Sequence, residues 1–510
     1  MSKLGRTTIV VALAATGAIA LSTVTALPST AAALEEKALA RLSAPFIDWN
    51  VTLEPRADDP QVLTLEFDSP LLKRRVTNTV FVPDSYQDDG QPSPVLYSLH
   101  GTIFPQLNNP ALQPVSKHEA LLAVTGAGGG WRQTELSKFD SQLHRAKFLV
   151  VAPDTTLAKP WCETCVWIDG RDDIVTNVGS PVTAETLPAD SHLHQELYPL
   201  IEKLFNVRKD RGGRGVTGFS MGAWAAFVQG FKHPDKYGFV APVSSVYDMM
   251  TAPDLEVFLD ANGYLRDQGY GTSVTHEVWW RNFNPADIAS NVAGVDQRIV
   301  FTTGDACLTP KSALSPDCRA YPAALNPLAA FIEVLAHRQF NIARRDLAAK
   351  GVTARLVEMP GVHGANNHRA YSDYIVPEAN RVFAEGVKTP RIFSYKAVEK
   401  CFSVWGYSVD IERPNDEFLS LVDARMDGRR FGVAGSGVVT ILTPPKFTPG
   451  SEHTVTITPD SGKPEKASLR ADSNGRLPVR IALGSKHLIN QSSVTELLAL
   501  PSRNVNVVID

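Results

Sequence analysis

Residues Gly218-Phe219-Ser220-Met221-Gly222 constrain this chain more than any other stretch. A short apolar run leads into them, and a helix-forming run, Ala223-Trp224-Ala225-Ala226-Phe227, begins directly afterwards. Glycines on both sides of a serine let a strand turn sharply into a helix and lift the hydroxyl clear of the sheet. The start of the helix also favours negative charge beside that serine. A glycine-rich turn alone would say little. With strand and helix in place, Ser220 is the candidate nucleophile.

The surrounding sequence fits such a turn. Short apolar runs at 95–99, 148–152, 239–243, 299–303 and 354–359 alternate with helical segments at 193–205, 223–231, 328–350 and 371–385. Strands apolar on both faces and separated by helices predict a parallel sheet covered on both sides. Ahead of them, 62–67 alternates apolar and polar residues, as a half-buried strand does. The fold class expected is α/β, an α/β-hydrolase fold over residues 34–390. After a linker at 386–391 the texture becomes all β. About seven short strands are expected, at 402–411, 418–422, 437–442, 453–458, 466–471, 477–483 and 504–509. Turn signals such as Asp427-Gly428, Pro449-Gly450 and Asn474-Gly475 separate them. Residues 391–510 therefore read as a β-sandwich accessory domain, separable, that binds a polymer, a cell-envelope surface or the catalytic domain itself.

The N-terminus reads as an export signal. Lys3 and Arg6 precede an apolar 9–21 stretch, and small residues offer cleavage sites between Ala26 and Ala33. An uncleaved anchor is the alternative, since apolar character continues to about Leu27. No later stretch is apolar enough to span a membrane. The expectation is a protein secreted or held in the cell envelope after residues 1–33 are removed. Export favours disulfides between some of the five cysteines, with Cys162–Cys165 and Cys307–Cys318 the expected pairs and Cys401 left as a thiol. A formal net charge of −4 gives no basic footprint for nucleic acid.

An oxyanion hole needs two preorganised N–H donors. The backbone of Met221 supplies one. The loop Leu99-His100-Gly101-Thr102, at the end of an early strand, offers the second from the backbone of Thr102 or Gly101, with Thr102 preferred. The general base follows late in the chain. His363, in Met359-Pro360-Gly361-Val362-His363-Gly364, stands just beyond a strand end, with His368 the runner-up. His100 reads as structural. His192 and His194, near a helix start, read as a solvated or packed pair; two residues apart on a helix they point different ways, which argues against a metal site. The chemistry requires no metal and no cofactor.

Three stretches then carry a family resemblance: Val95-Leu96-Tyr97-Ser98-Leu99-His100-Gly101, Thr217 to Gly222, and His233-Pro234-Asp235-Lys236-Tyr237. With the Pro-Gly-Val-His loop, they resemble the esterase family that groups esterase D, feruloyl esterases and the mycobacterial antigen 85 mycolyltransferases. The resemblance covers roughly 62–386 and leaves the β region outside. In antigen 85 relatives the triad acid is a helical glutamate about thirty residues before the histidine, which implies Glu333 here. In esterase D relatives it is an aspartate after the preceding strand, which implies Asp305. Gly222 and His100 stand where antigen 85 relatives carry alanine and aspartate, which brings the chain nearer to ordinary esterases. The resemblance implies an ester substrate, with acyl transfer to a sugar or lipid alcohol as an alternative. A non-catalytic surface protein built on the same scaffold is the alternative of another class.

Overall fold

The computed structural model describes residues 30–56, 59, 61–101, 145–153, 167–171, 188–251, 271–494 and 503–510. Residues 1–29 of the expected export signal, Thr102, Cys162 and Cys165 lie outside the described residues.

The apolar runs form the parallel part of a nine-stranded sheet. Its strands are β1 (Thr52–Pro55), β2 (Val62–Ser69), β3 (Arg74–Phe81), β4 (Val95–Leu99), β5 (Leu149–Pro153), β6 (Arg214–Phe219), β7 (Phe239–Val243), β8 (Arg298–Gly304) and β9 (Ala354–Met359). Their order is β1-β2-β3-β5-β4-β6-β7-β8-β9. The first four in that order pair antiparallel. From β5 onward every pairing is parallel. Neighbouring residues on one strand serve opposite faces. Tyr97, Val151, Val240 and Phe301 enter one apolar cluster, and Leu96, Val150, Phe239 and Val300 enter another. Strand periodicity thus supplies two cores, one under each helical layer. The helix Met221–Lys232 is buried along its whole length, which accounts for its Ala-Trp-Ala-Ala-Phe composition. This is the α/β-hydrolase fold, and it brings the C-terminal ends of β4, β6, β7 and β8 to one edge.

Beyond residue 391 there are two antiparallel sheets. The six-stranded one runs, in spatial order, Ile392–Ala397, Leu419–Arg425, Arg430–Gly435, Arg503–Ile509, Glu452–Pro459 and Glu465–Arg470. The four-stranded one runs Cys401–Val404, Tyr407–Glu412, Val438–Leu442 and Pro478–Ala482. Leu421, Val433 and Val507 of the first meet Val409, Ile441 and Val479 of the second in one apolar cluster, the arrangement of a sandwich. Among the described residues there are ten strands here rather than about seven. The run at 402–411 is a hairpin, because Trp405 and Gly406 both take positive φ and Val404 pairs with Tyr407. Two strands, Ile392–Ala397 and Arg430–Gly435, were not expected from the sequence.

The sandwich rests directly on the helices that follow β6. Glu399 pairs with Lys232. The Trp405 N–H donates to Asp235 Oδ2 at 3.2 Å, and the Tyr395 hydroxyl donates to the Lys232 carbonyl at 3.0 Å. Asn291 donates to the Lys396 carbonyl and accepts from its N–H, at 3.1 and 2.9 Å. Val398 lies in the same apolar cluster as Met221, Trp224, Trp279 and Phe283. Cys307 and Cys318 form a disulfide, and Cys401 carries an exposed free thiol. Among the described residues, no helix is long and apolar enough to cross a membrane.

Candidate active site

Ser220 occupies the one-residue turn between β6 and the helix Met221–Lys232, at φ 57° and ψ −117°. A non-glycine residue there is strained, and its neighbours hold it in place. The Ser220 N–H donates to the Val243 carbonyl at 3.0 Å, and the Ser220 carbonyl accepts from Ala223 and Trp224 N–H, each at 3.0 Å. The flanking glycines answer to close backbone approach. A Cβ on Gly218 would strike the Gly222 carbonyl, and one on Gly222 would strike the Leu99 and His100 carbonyls. Gly222 is therefore a packing requirement of this turn. A Cβ on Gly101 would lie 3.3 Å from Ser220 Cβ. The end of β4 thus meets the serine turn backbone to backbone. Met221, at the first helical position, has its N–H at the helix start, where orphan donors favour an anion. His100 is buried with its ring edge against Trp167, centroids 4.9 Å apart.

Two further elements deliver a histidine and an acid. His363 sits on the loop after β9, buried, with its backbone N–H bonded to the Ala329 carbonyl at 3.1 Å. Its ring stands 4.5 Å, centroid to centroid, from Phe219, the residue before the serine. Glu333, on the helix Pro327–Ala349, places Oε2 2.6 Å from His363 Nδ1. The same carboxylate's Oε1 accepts from Ser244 Oγ at 2.8 Å, from Thr303 Oγ1 at 2.9 Å and from the Gly304 N–H. Glu333 is fully buried while Phe331 and Val334 on the same helix are exposed. The helix therefore turns the carboxylate inward with Ala330 and Ala336, and Phe331 and Val334 outward. Burial alone would raise the Glu333 pKa. The hydrogen bond and charge of His363, with the Ser244 hydroxyl and the Gly304 N–H, outweigh it and hold the carboxyl below its ordinary value. Gly304 permits this approach, since a Cβ there would sit 2.9 Å from Glu333 Cγ.

The alternative residues go elsewhere. Asp305 Oδ1 accepts from the backbone N–H groups of Cys307 at 2.9 Å and Gly361 at 3.2 Å, as a loop cap does. His368 is partly exposed with Asp317 as its acidic neighbour, 3.9 Å away. Ser244 was not anticipated. It has φ 50°, at the end of β7, and one donor to a distant carboxylate leaves no local pattern in sequence. Thr303, inside an apolar strand run, is equally silent.

Residues 138–319 match the family described as "Putative esterase". That span contains Ser220 and ends before Glu333 and His363. No curated protein matches the chain. Solved structures with similarity include an S-formylglutathione hydrolase from Agrobacterium tumefaciens, at 15% identity and TM-score 0.42, over 63% of this chain and 95% of that one. Another is Mycobacterium tuberculosis MPT51, at 14% identity and TM-score 0.38, over 62% and 95%. A ferulic acid esterase from Anaeromyces mucronatus follows at 15% identity and TM-score 0.34, over 66% and 91%. The family match supports carboxylic ester chemistry as the coarse activity.

Proposed function

We propose that this chain is an exported serine esterase that works through an acyl-enzyme on Ser220. The observation that carries the reading is the buried Glu333–His363 hydrogen bond beside a serine held at positive φ. In this reading Ser220 Oγ attacks the ester carbonyl as His363 Nε2 takes its proton. The backbone N–H groups of Met221 and Thr102 hold the tetrahedral oxyanion. Collapse expels the alcohol, which leaves with the proton from His363. A water, deprotonated by the same imidazole, then releases the acid and restores the serine. Glu333 fixes the ring with its Nδ1–H toward the carboxylate and stabilises the imidazolium that forms.

The Lys3/Arg6 and apolar N-terminal pattern supports export of the chain, and the Cys307–Cys318 disulfide is compatible with an oxidising compartment. Residues 34–390 would then be the catalytic domain and 391–510 an accessory sandwich, one that binds a polymer or envelope surface while resting on the catalytic domain. A panel of chromogenic esters, run with and without sugar acceptors and analysed for transfer products, tests the reaction and separates hydrolysis from acyl transfer. Fluorophosphonate labelling that maps to Ser220 separates both from a non-catalytic surface protein. A folded chain that neither turns over any ester nor takes the label overturns the proposal.

A further inference from the structure

One cluster of metal-ligating side chains stands apart from the esterase machinery. Asp190 and His194 lie one turn apart on the helical run 189–204, and His233 caps the C-terminus of the helix Met221–Lys232. Asp190 Oδ1 is 3.2 Å from His194 Nδ1 and 3.0 Å from His233 Nε2. One donor atom from each of the three lies within 4.8 Å of the other two. His192 takes no part. Its ring turns the opposite way, to Glu196 Oε2 at 2.6 Å and to Ser69. The second imidazole of the cluster comes from another helix, a pairing that spacing along one helix does not reveal.

We propose that Asp190, His194 and His233 bind a divalent transition-metal ion of the zinc type. Two neutral imidazoles and one carboxylate suit zinc, cobalt or nickel, whereas calcium and magnesium prefer an all-oxygen shell. The surroundings resemble an outer shell that orients ligands. The Tyr237 hydroxyl is 3.0 Å from His194 Nε2, the ring nitrogen turned away from Asp190, and 2.5 Å from the Tyr198 hydroxyl. Gln229 Nε2 donates to Asp190 Oδ1 at 2.7 Å. Partners of this kind fix the ring orientation of a ligating histidine and the aim of a ligating carboxylate. The Asp190 and His233 side chains keep 24% and 16% of their exposure, so an ion and one water can reach the site. Three protein ligands and a water complete a tetrahedral shell. The two residues flanking the cluster, Lys232 and Asp235, hold Glu399 and the Trp405 N–H of the sandwich. A bound ion would therefore clasp two helices at the place where the sandwich is anchored.

The test uses the tag-free full chain carrying Cys401→Ser, stripped with chelator and titrated with cobalt(II), then with zinc(II). The expected result is uptake of one cobalt per chain with visible d–d absorption, its displacement by zinc, and a higher melting temperature with zinc bound. His233→Gln should weaken binding by more than tenfold, while His368→Ala leaves it unchanged. Asp190→Asn serves as a second ligand variant. Should it fail to fold, His233→Gln at the helix end decides. Absence of stoichiometric uptake by the folded parent chain would show the cluster to be a hydrogen-bonded clamp only and overturn the proposal. Uptake that is unaltered in His233→Gln would overturn it equally.

Discussion

Glu333 Oε2 lies 2.6 Å from His363 Nδ1, and neither side chain has appreciable contact with solvent. Each group is the other's only ionisable neighbour at that distance among the described contacts, so the two should be read as one unit. Glu333→Gln should lower ester turnover by several powers of ten, because the amide cannot stabilise the imidazolium. Asp305→Asn should cost far less, since Asp305 caps backbone N–H groups. Steady-state kinetics on a soluble chromogenic ester decides the ranking.

Ser220→Ala should remove turnover by a factor on the order of 10⁶. Fluorophosphonate labelling should vanish with it while the melting temperature stays close to that of the parent. Full turnover in a clean preparation would dismiss Ser220 as the nucleophile.

His363→Ala should differ from Ser220→Ala in stability. Removing the imidazole leaves a buried carboxylate short of a partner, a defect of about 3–5 kcal/mol when the charge stays uncompensated. Chemical denaturation should show the loss, and adding Glu333→Gln to His363→Ala should recover part of it. The sign with pH follows from the depressed carboxyl. Its stabilisation is fully present above the ordinary glutamate value of about 4.3. It is lost as the pH falls through the lower folded value. Glu333→Gln should flatten that acid limb in a pH series of unfolding curves.

Ser244→Ala removes one hydroxyl donor from Glu333 Oε1 and leaves Thr303 and the Gly304 N–H in place. Turnover should fall by about tenfold, the scale of one outer hydrogen bond on a catalytic group. KM should hardly move, because Ser244 bonds to Glu333, the proposed acid, rather than to substrate. A large rise in KM with unchanged kcat would contradict this positioning role.

A chain ended at Thr389 should melt several degrees lower than the full protein. It would lose the partners of Lys232, Asp235 and Asn291 and uncover the apolar cluster that Val398 shares with Met221. Calorimetry of both lengths, alongside turnover of a small ester, tests whether the sandwich braces the α/β-hydrolase fold.

The parallel sheet was legible because strands buried on both faces are apolar nearly throughout, as β5 and β7 are at every position and β4 is at all but Ser98. Ser220 was legible because its turn demands glycines at fixed offsets. The Glu333 assignment came from family resemblance. Its neighbours Phe331 and Val334 face solvent, and although Glu333 falls in the buried stripe of Ala330, Ala336, Phe340 and Ala343, that stripe does not announce which partner a carboxylate in it will meet. The β region was harder to divide. Trp405 makes a poor turn former by composition, yet it takes positive φ because Asp235 holds its N–H and Arg211 lies 5.3 Å from its ring. Tertiary contacts override local preference there, and no local signal announces them. Ser244 and Thr303 act across the sheet, so their roles depend on which strands become neighbours.

The contact of Gly222 with the Leu99 and His100 carbonyls bears on how such a site can be altered. Codon randomisation at 218 or 222 should return almost only the parent glycine, because every other residue collides with rigid main chain. Shape changes around the reacting carbon must then come from side chains that do not set the spacing of the two backbones. Ile168 and Trp279, which share an apolar cluster with Met221, are side chains that do not set that spacing. A directed-evolution campaign for new acyl groups would do better to diversify those two and leave the turn fixed.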